Sequence, residues 1–259
     1  MRKLQTMLKS HKYEIIAFLV NVVVAYITFQ FFRNNLTVFV LSIIVFTTSL
    51  LIVIYQKTKD KDFYLISLDK PGDDTDWVGR GTFKYVRNEH AYEITNSSVG
   101  FIYPKTSLWD DYYFEGDFKI LKVSLGLIFR AQNLSNCVMI QIFSDRIKSH
   151  LRMNGEWIVY SDEKTGINLS NDSWYKVQAY CEKRKIRIKI SYKDKDLIDR
   201  HIEIPNSIAV VVRQEASKSN SSQDEIKQVL NVDFDFGSFG LRNFGNESAL
   251  VKNVYVEKL

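Results

Sequence analysis

The sequence predicts two unlike parts: a two-helix membrane hairpin at the N-terminus and an all-β sandwich behind it. Three observations carry this expectation. Two uncharged apolar runs stand near the start, a short charged link follows them, and the remainder alternates at period two with turn residues about every ten positions. The chain has 259 residues, room for one or two domains, and its 46% apolar and 25% charged content is that of a folded protein. The formal net charge is +5, but eight of the 35 basic and three of the 30 acidic residues lie in 1–62, which leaves 27 of each in 63–259. The excess flanks the apolar runs, so general nucleic-acid binding is not expected.

The hairpin occupies 1–56. Residues 15–32 read IIAFLVNVVVAYITFQFF and residues 36–55 read LTVFVLSIIVFTTSLLIVIY, without a charge in either. As helices over about 14–32 and 36–55 they span roughly 27 and 30 Å, the thickness of a hydrocarbon core. A cleaved signal peptide would need a small-residue cleavage pattern, and a soluble hairpin would need polar faces; neither is present. The link of three residues between the helices makes them antiparallel. Arg2, Lys3, Lys9 and Lys12 precede the pair, Lys57, Lys59 and Lys61 follow it, and Arg33 alone sits in the turn. The positive-inside rule therefore predicts an integral membrane protein with both termini and the C-terminal domain in the cytoplasm. Asn21, Thr28 and Gln30 are the polar positions of the first helix. Hydrogen bonding to Ser42, Thr47, Thr48 and Ser49 of the second helix accounts for them, and an oligomer seam or pore lining at Asn21 is the sharper alternative.

After the charged link at 57–62 (KTKDKD), the domain over 63–259 reads as strands. TFKYVR (82–87), AYEIT (91–95), VGFIY (99–103), YYFEGDFKI (112–120) and VSLGLIFR (123–130) are rich in aromatic and β-branched residues, and CVMIQIF (137–143) and EWIVYS (156–161) extend the series. WYKVQAYC (174–181), KIRIKISY (185–192), LIDRHIEI (197–204), IAVVV (208–212), VLNVDFDF (229–236), FGLRNF (239–244) and LVKNVYVEKL (250–259) complete it. Residues 217–228 are polar and read as an exposed loop. In 185–192, Ile186, Ile188 and Ile190 point to the core, and Lys185, Arg187 and Lys189 form an opposite row. That row serves either as a grip for an anionic ligand or as a solvated, charge-protected face, the latter fitting a neutral domain.

The segment 112–259 resembles the concanavalin-A-like (laminin-G-like) jelly roll in its 3-keto-disaccharide-hydrolase-like version. Gly126 and Arg130 of GLIFR, Gln141 of MIQIF, Trp174, and Gly237, Gly240, Leu241 and Asn253 of the closing strands carry the resemblance. It implies that sugars or other ligands meet a concave sheet, with Arg130 and Gln141 as ligand-binding positions; an ion pair with one of the domain's 27 acids is the equal alternative for Arg130. Alternation agrees with that expectation, placing Gly126, Ile128 and Arg130 on one face and Gln141 on a face with Met139 and Phe143. The hydrolytic members of the family place an acid two residues before this Gln, where Met139 stands here. Hydrolysis needs two carboxylates flanking the bond, so no enzyme and no catalytic residue is expected.

No other chemistry emerges. His90, His150 and His201 are scattered, Cys137 and Cys181 lack zinc-ligand spacing, and no phosphate-binding glycine loop is present, so no metal or cofactor is expected. Glu115 with Asp117, and Asp233 with Asp235, share strand faces and read as solvent-facing acids between phenylalanines. The sequence thus describes a membrane-anchored cytoplasmic binding or sensing module, in one version a membrane-disrupting effector of antiviral-defence type. Its expected partners are the lipid bilayer, a cytoplasmic protein or small ligand, and further copies of itself in a homo-oligomer. The alternative is a carbohydrate-binding protein or degenerate glycoside hydrolase.

Overall fold

The structure is a computed structural model that describes residues 62–171, 173–213 and 225–259. The hairpin, with Asn21, Thr28 and Gln30, and the link as far as Lys61 lie outside the described residues. Among those described, no helix is long and apolar enough to cross a membrane.

Fifteen strands are described: β1 (Phe63–Ile66), β2 (Val78–Val86), β3 (Ala91–Ile102), β4 (Tyr112–Lys122), β5 (Ser124–Asn133), β6 (Asn136–Phe143), β7 (Arg146–Met153) and β8 (Glu156–Lys164). β9 (Tyr175–Glu182), β10 (Lys185–Tyr192), β11 (Lys195–Glu203), β12 (Ser207–Arg213), β13 (Glu225–Asn231), β14 (Ser238–Arg242) and β15 (Ser248–Lys258) follow. The hydrogen-bonded order is β11-β10-β9-β4-β15-β3-β14-β5-β6-β7-β8, with β1 on β15, β2 on β3, and β12 with β13 as a separate ribbon. All pairings are antiparallel.

The long ribbon folds over at β3. Thr95 to Tyr92 pair with β15, whereas Phe101 and Ile102 pair with β14. Between these halves Asn96 (φ 57°) and Gly100 (φ 87°) bend the strand, and β2 follows the bend with a register shift around Gly81. A side chain at Gly81 would meet the backbone of Asn96 and Ser97, so a glycine there lets the two strands turn together. The result is an all-β, jelly-roll sandwich: β11-β10-β9-β4-β15 form the first sheet, and β14-β5-β6-β7-β8 form the second.

The core lies between the sheets. Phe114 of β4 meets Phe129 of β5 edge-on at 6.3 Å and Phe239 of β14 at 5.4 Å. Ile186, Ile188 and Ile190 are fully buried, as their alternation predicts. Each such side chain contributes about 1.5–3 kcal/mol relative to exposure.

Four elements differ from expectation. The runs at 91–95 and 99–103 form one bent strand, β3. The polar stretch expected as a loop supplies Glu225 to Gln228 to β13, which ends at Asn231, so Val232 and Phe234 are buried outside any strand. β1 and β7 were not foreseen. β7 reads RIKSHLRM, with Ile147 and Leu151 as its buried apolar residues, too sparse for a strand signal.

Candidate functional site

The outer face of the second sheet concentrates polar groups on a short apolar floor. Cross-strand register sets Arg242 beside Gly126, Gly126 beside Gln141, Gln141 beside Lys148, and Lys148 beside Asp162. A parallel row sets Met139 beside His150, and the next sets Cys137 beside Arg152 and Arg152 beside Trp157. Ile128, Ala131, Cys137 and Met139 form a buried cluster of their own here, with Ile102 and Trp157 packed against it.

Gln141 Nε2 donates to Ser124 Oγ at 2.9 Å and to Glu247 Oε1 at 2.6 Å. Glu247 Oε2 accepts from the Phe244 N–H at 2.7 Å and lies 3.7 Å from Arg242 Nη1. Gly126 permits this approach: a Cβ there would come within 2.7 Å of the Arg242 carbonyl and 3.0 Å of the Met139 sulfur. Arg242 and Arg152 both stack on Trp157, with guanidinium-to-ring distances of 4.7 and 5.1 Å. His150 meets the same indole edge-on at 6.1 Å.

The electrostatics follow from this crowding. Burial, then Arg242 and Lys148, push the His150 imidazole down to about 4, so it is neutral at neutral pH. Its Nε2 is buried and has no hydrogen-bond partner. Burial and the nearby Arg152 also lower the Arg242 guanidinium, against the pull of Glu247. Burial raises the Cys137 thiol to about 12, which makes it a packing group rather than a nucleophile.

Of the residues expected to bind, Gln141 lies on this face and Arg130 does not. Arg130 has φ 50°, and β5 loses register with β6 between Phe129 and Asn133. This bulge reverses the alternation. Ala131 takes the outer position, and the Arg130 side chain, 0% exposed, donates to the Asp235 carbonyl and pairs with Asp111 at 3.2 Å. Arg130 is therefore an interior brace between β5 and the loops around Asp111 and Asp235.

Lys185, Arg187 and Lys189 line the outer face of the first sheet, on the far side of the sandwich. Arg187 forms a two-point pair with Asp199 at 2.9 and 2.6 Å, and Lys189 pairs with Asp196 at 2.9 Å. On the same face Glu115 pairs with Lys176 at 2.9 Å, and Asp117 accepts from Asn253 at 2.7 Å. Asp117 also borders a cleft of about 450 Å³ with Trp174, over whose ring Lys252 sits at 4.0 Å. Among the described residues no group of His, Cys, Asp and Glu could hold a metal ion.

His150, Arg152, Trp157, Arg242 and Glu247 were not anticipated as site residues. In β7, Ile147, Ser149 and Leu151 alternate with Lys148, His150 and Arg152, so the outer row is wholly polar and gives the sequence little to mark it as a strand. Nothing local marks Arg242 and Glu247, which reach the face only because β14 inserts beside β5.

No family model matches the chain, and no curated protein matches it. Solved structures do align. The carbohydrate-binding module CBM66 from Bacillus subtilis is 18% identical, with a TM-score of 0.46 over 70% of this chain and 95% of that one. A Bacillus subtilis protein of unknown function with a galectin-like fold is 13% identical, with a TM-score of 0.48 over 75% and 94%. The exoplasmic/lumenal domain of VIP36 in its Ca2+/Man2-bound form is 10% identical, with a TM-score of 0.47 over 78% and 89%.

Proposed function

We propose that this protein is a non-catalytic saccharide-binding module and that the outer face of the second sheet is its site. The observation that carries the reading is the hydrogen-bonded string Gln141–Glu247–Arg242 beside Trp157, with the His150 Nε2 buried and unpartnered. Sugar hydroxyls donate and accept at once, and an amide, a carboxylate and a guanidinium held in fixed relation answer both roles. An aromatic edge or face covers the C–H side of the ring. Binding without hydrolysis fits the carboxylate: Glu247 is held by Gln141 and the Phe244 N–H, and Met139 stands where the hydrolytic members of the family it resembles carry an acid.

The N-terminal runs anchor this module to a bilayer, and their Lys/Arg flanks favour the cytoplasmic side. An effector that disrupts the bilayer instead predicts toxicity that disappears when residues 13–55 are deleted. For the saccharide reading the test is glycan binding by the full chain in detergent micelles, compared with Gln141→Ala and Glu247→Ala. Binding that both substitutions abolish, in proteins with unchanged tryptophan emission, supports the reading. Binding indifferent to both substitutions places the ligand elsewhere and sinks it.

A further inference from the structure

We infer that the saccharide taken by this face is anionic, its carboxylate received between Arg152 and Arg242. The inference rests on the saccharide reading of the same face and deepens it. Two arginines and Lys148 share this face with two carboxylates, and both guanidiniums sit over the Trp157 ring. Lys148 is answered by Asp162 at 3.0 Å. Arg242 shares Glu247, at 3.7 Å, with Gln141 and the Phe244 N–H. Arg152 donates from Nε to the Gly155 carbonyl at 3.0 Å and from Nη1 to the Leu134 carbonyl, and no carboxylate among the described residues lies within ion-pair distance of it. One positive charge is left over, on a residue only 9% exposed.

The unanswered charge suits an anionic ligand better than a purely structural role. Stacking on Trp157 and two bonds to neutral carbonyls meet the Arg152 charge with dipoles only, with no opposite charge. Taking a charge out of water costs several kcal/mol unless an opposite charge meets it. A guanidinium has five N–H donors in a planar fork, and Arg152 commits two of its nitrogens and Arg242 two of its own, which leaves a free Nη2 on each. The fork fits a carboxylate better than any other sugar substituent, and charge-assisted bonds of this kind are about twice as strong as neutral ones. The repulsion and burial that weaken the hold of Arg242 on its proton are what an incoming anion relieves. His150, kept neutral beside them, adds no charge.

The experiment is a calorimetric titration of the full chain in detergent micelles with oligogalacturonate, oligomannuronate and a hyaluronan oligosaccharide. Each is paired with its carboxyl-reduced, neutral counterpart. The expected result is that at least one acid binds tighter than its reduced form by about tenfold or more, roughly 1.4 kcal/mol. Raising the salt should narrow that preference, and Arg152→Gln should remove it while the neutral form still binds. Arg152→Lys keeps the charge but not the fork, and should retain part of the preference, which guards against a misfolded Gln variant. Equal binding of acids and reduced forms overturns the inference and leaves the saccharide reading standing. Failure of every sugar, acidic and neutral, overturns both.

Discussion

Protonation of His150 is the perturbation whose size follows most directly from the structure. In the unfolded chain its imidazole takes up a proton near 6.5, and in the fold only near about 4. Above pH 6.5 both states are neutral and the group is silent. As the pH falls, the unfolded chain binds a proton that the fold refuses, so stability is lost progressively and the loss is complete near pH 4. At 1.36 kcal/mol per tenfold change in acidity the ceiling is about 3 kcal/mol, and about 2 kcal/mol is expected once residual solvent screening is allowed for. Burial is the first cause, followed by the charges of Arg242 and Lys148. The assay is urea unfolding of the full chain in detergent, followed by tryptophan emission, since Trp77, Trp109, Trp157 and Trp174 all lie in 63–259. Carboxylates elsewhere also titrate in acid, so the comparison is with His150→Gln, which retains them. The stability difference between the two proteins should move in favour of the variant by about 2 kcal/mol between neutral pH and pH 4. A difference that stays constant across that range would show His150 protonating as a solvated imidazole does, and would refute the electrostatics assigned to the site.

Further predictions concern other parts of the sandwich. Arg130→Met leaves Asp111 without its cation and should cost about 3 kcal/mol in urea unfolding, while saccharide affinity per folded molecule stays unchanged. Gly126→Ala forces a methyl into the Arg242 carbonyl and should cost about 1–3 kcal/mol and weaken saccharide binding, both read in the same titrations. Arg187→Ala breaks a surface pair on the first sheet and should change stability by less than about 1 kcal/mol and binding not at all. A reporter fused after Leu259 that is active only in the cytoplasm should be active; an inactive fusion with a protease-accessible domain outside the cell would reverse the expected topology.

Individual strands were legible because their signal is local. In β10 three isoleucines alternate with three cations, and the structure buries the isoleucines and pairs Arg187 and Lys189 with β11 acids. Alternation alone put Gln141 on one face with Met139, and β6 carries the two residues that way. Arg130 was misplaced by the same reasoning, because a single left-handed residue turns the strand over and no rule of alternation contains a bulge. β7 escaped for the opposite reason: its outer face is so polar that it carries little hydrophobic signal, although that face supplies His150 and Arg152. The all-β class, the apolar N-terminal runs and the side of most strands that meets the core are written locally in the chain, since each depends on residues one or two positions apart. That Gly126, Gln141, His150, Trp157, Arg242 and Glu247 share one surface emerges with the strand order of the folded domain. Strand order is settled by which faces bury together and which edges still have hydrogen bonds to satisfy, and those are properties of the whole chain rather than of any segment.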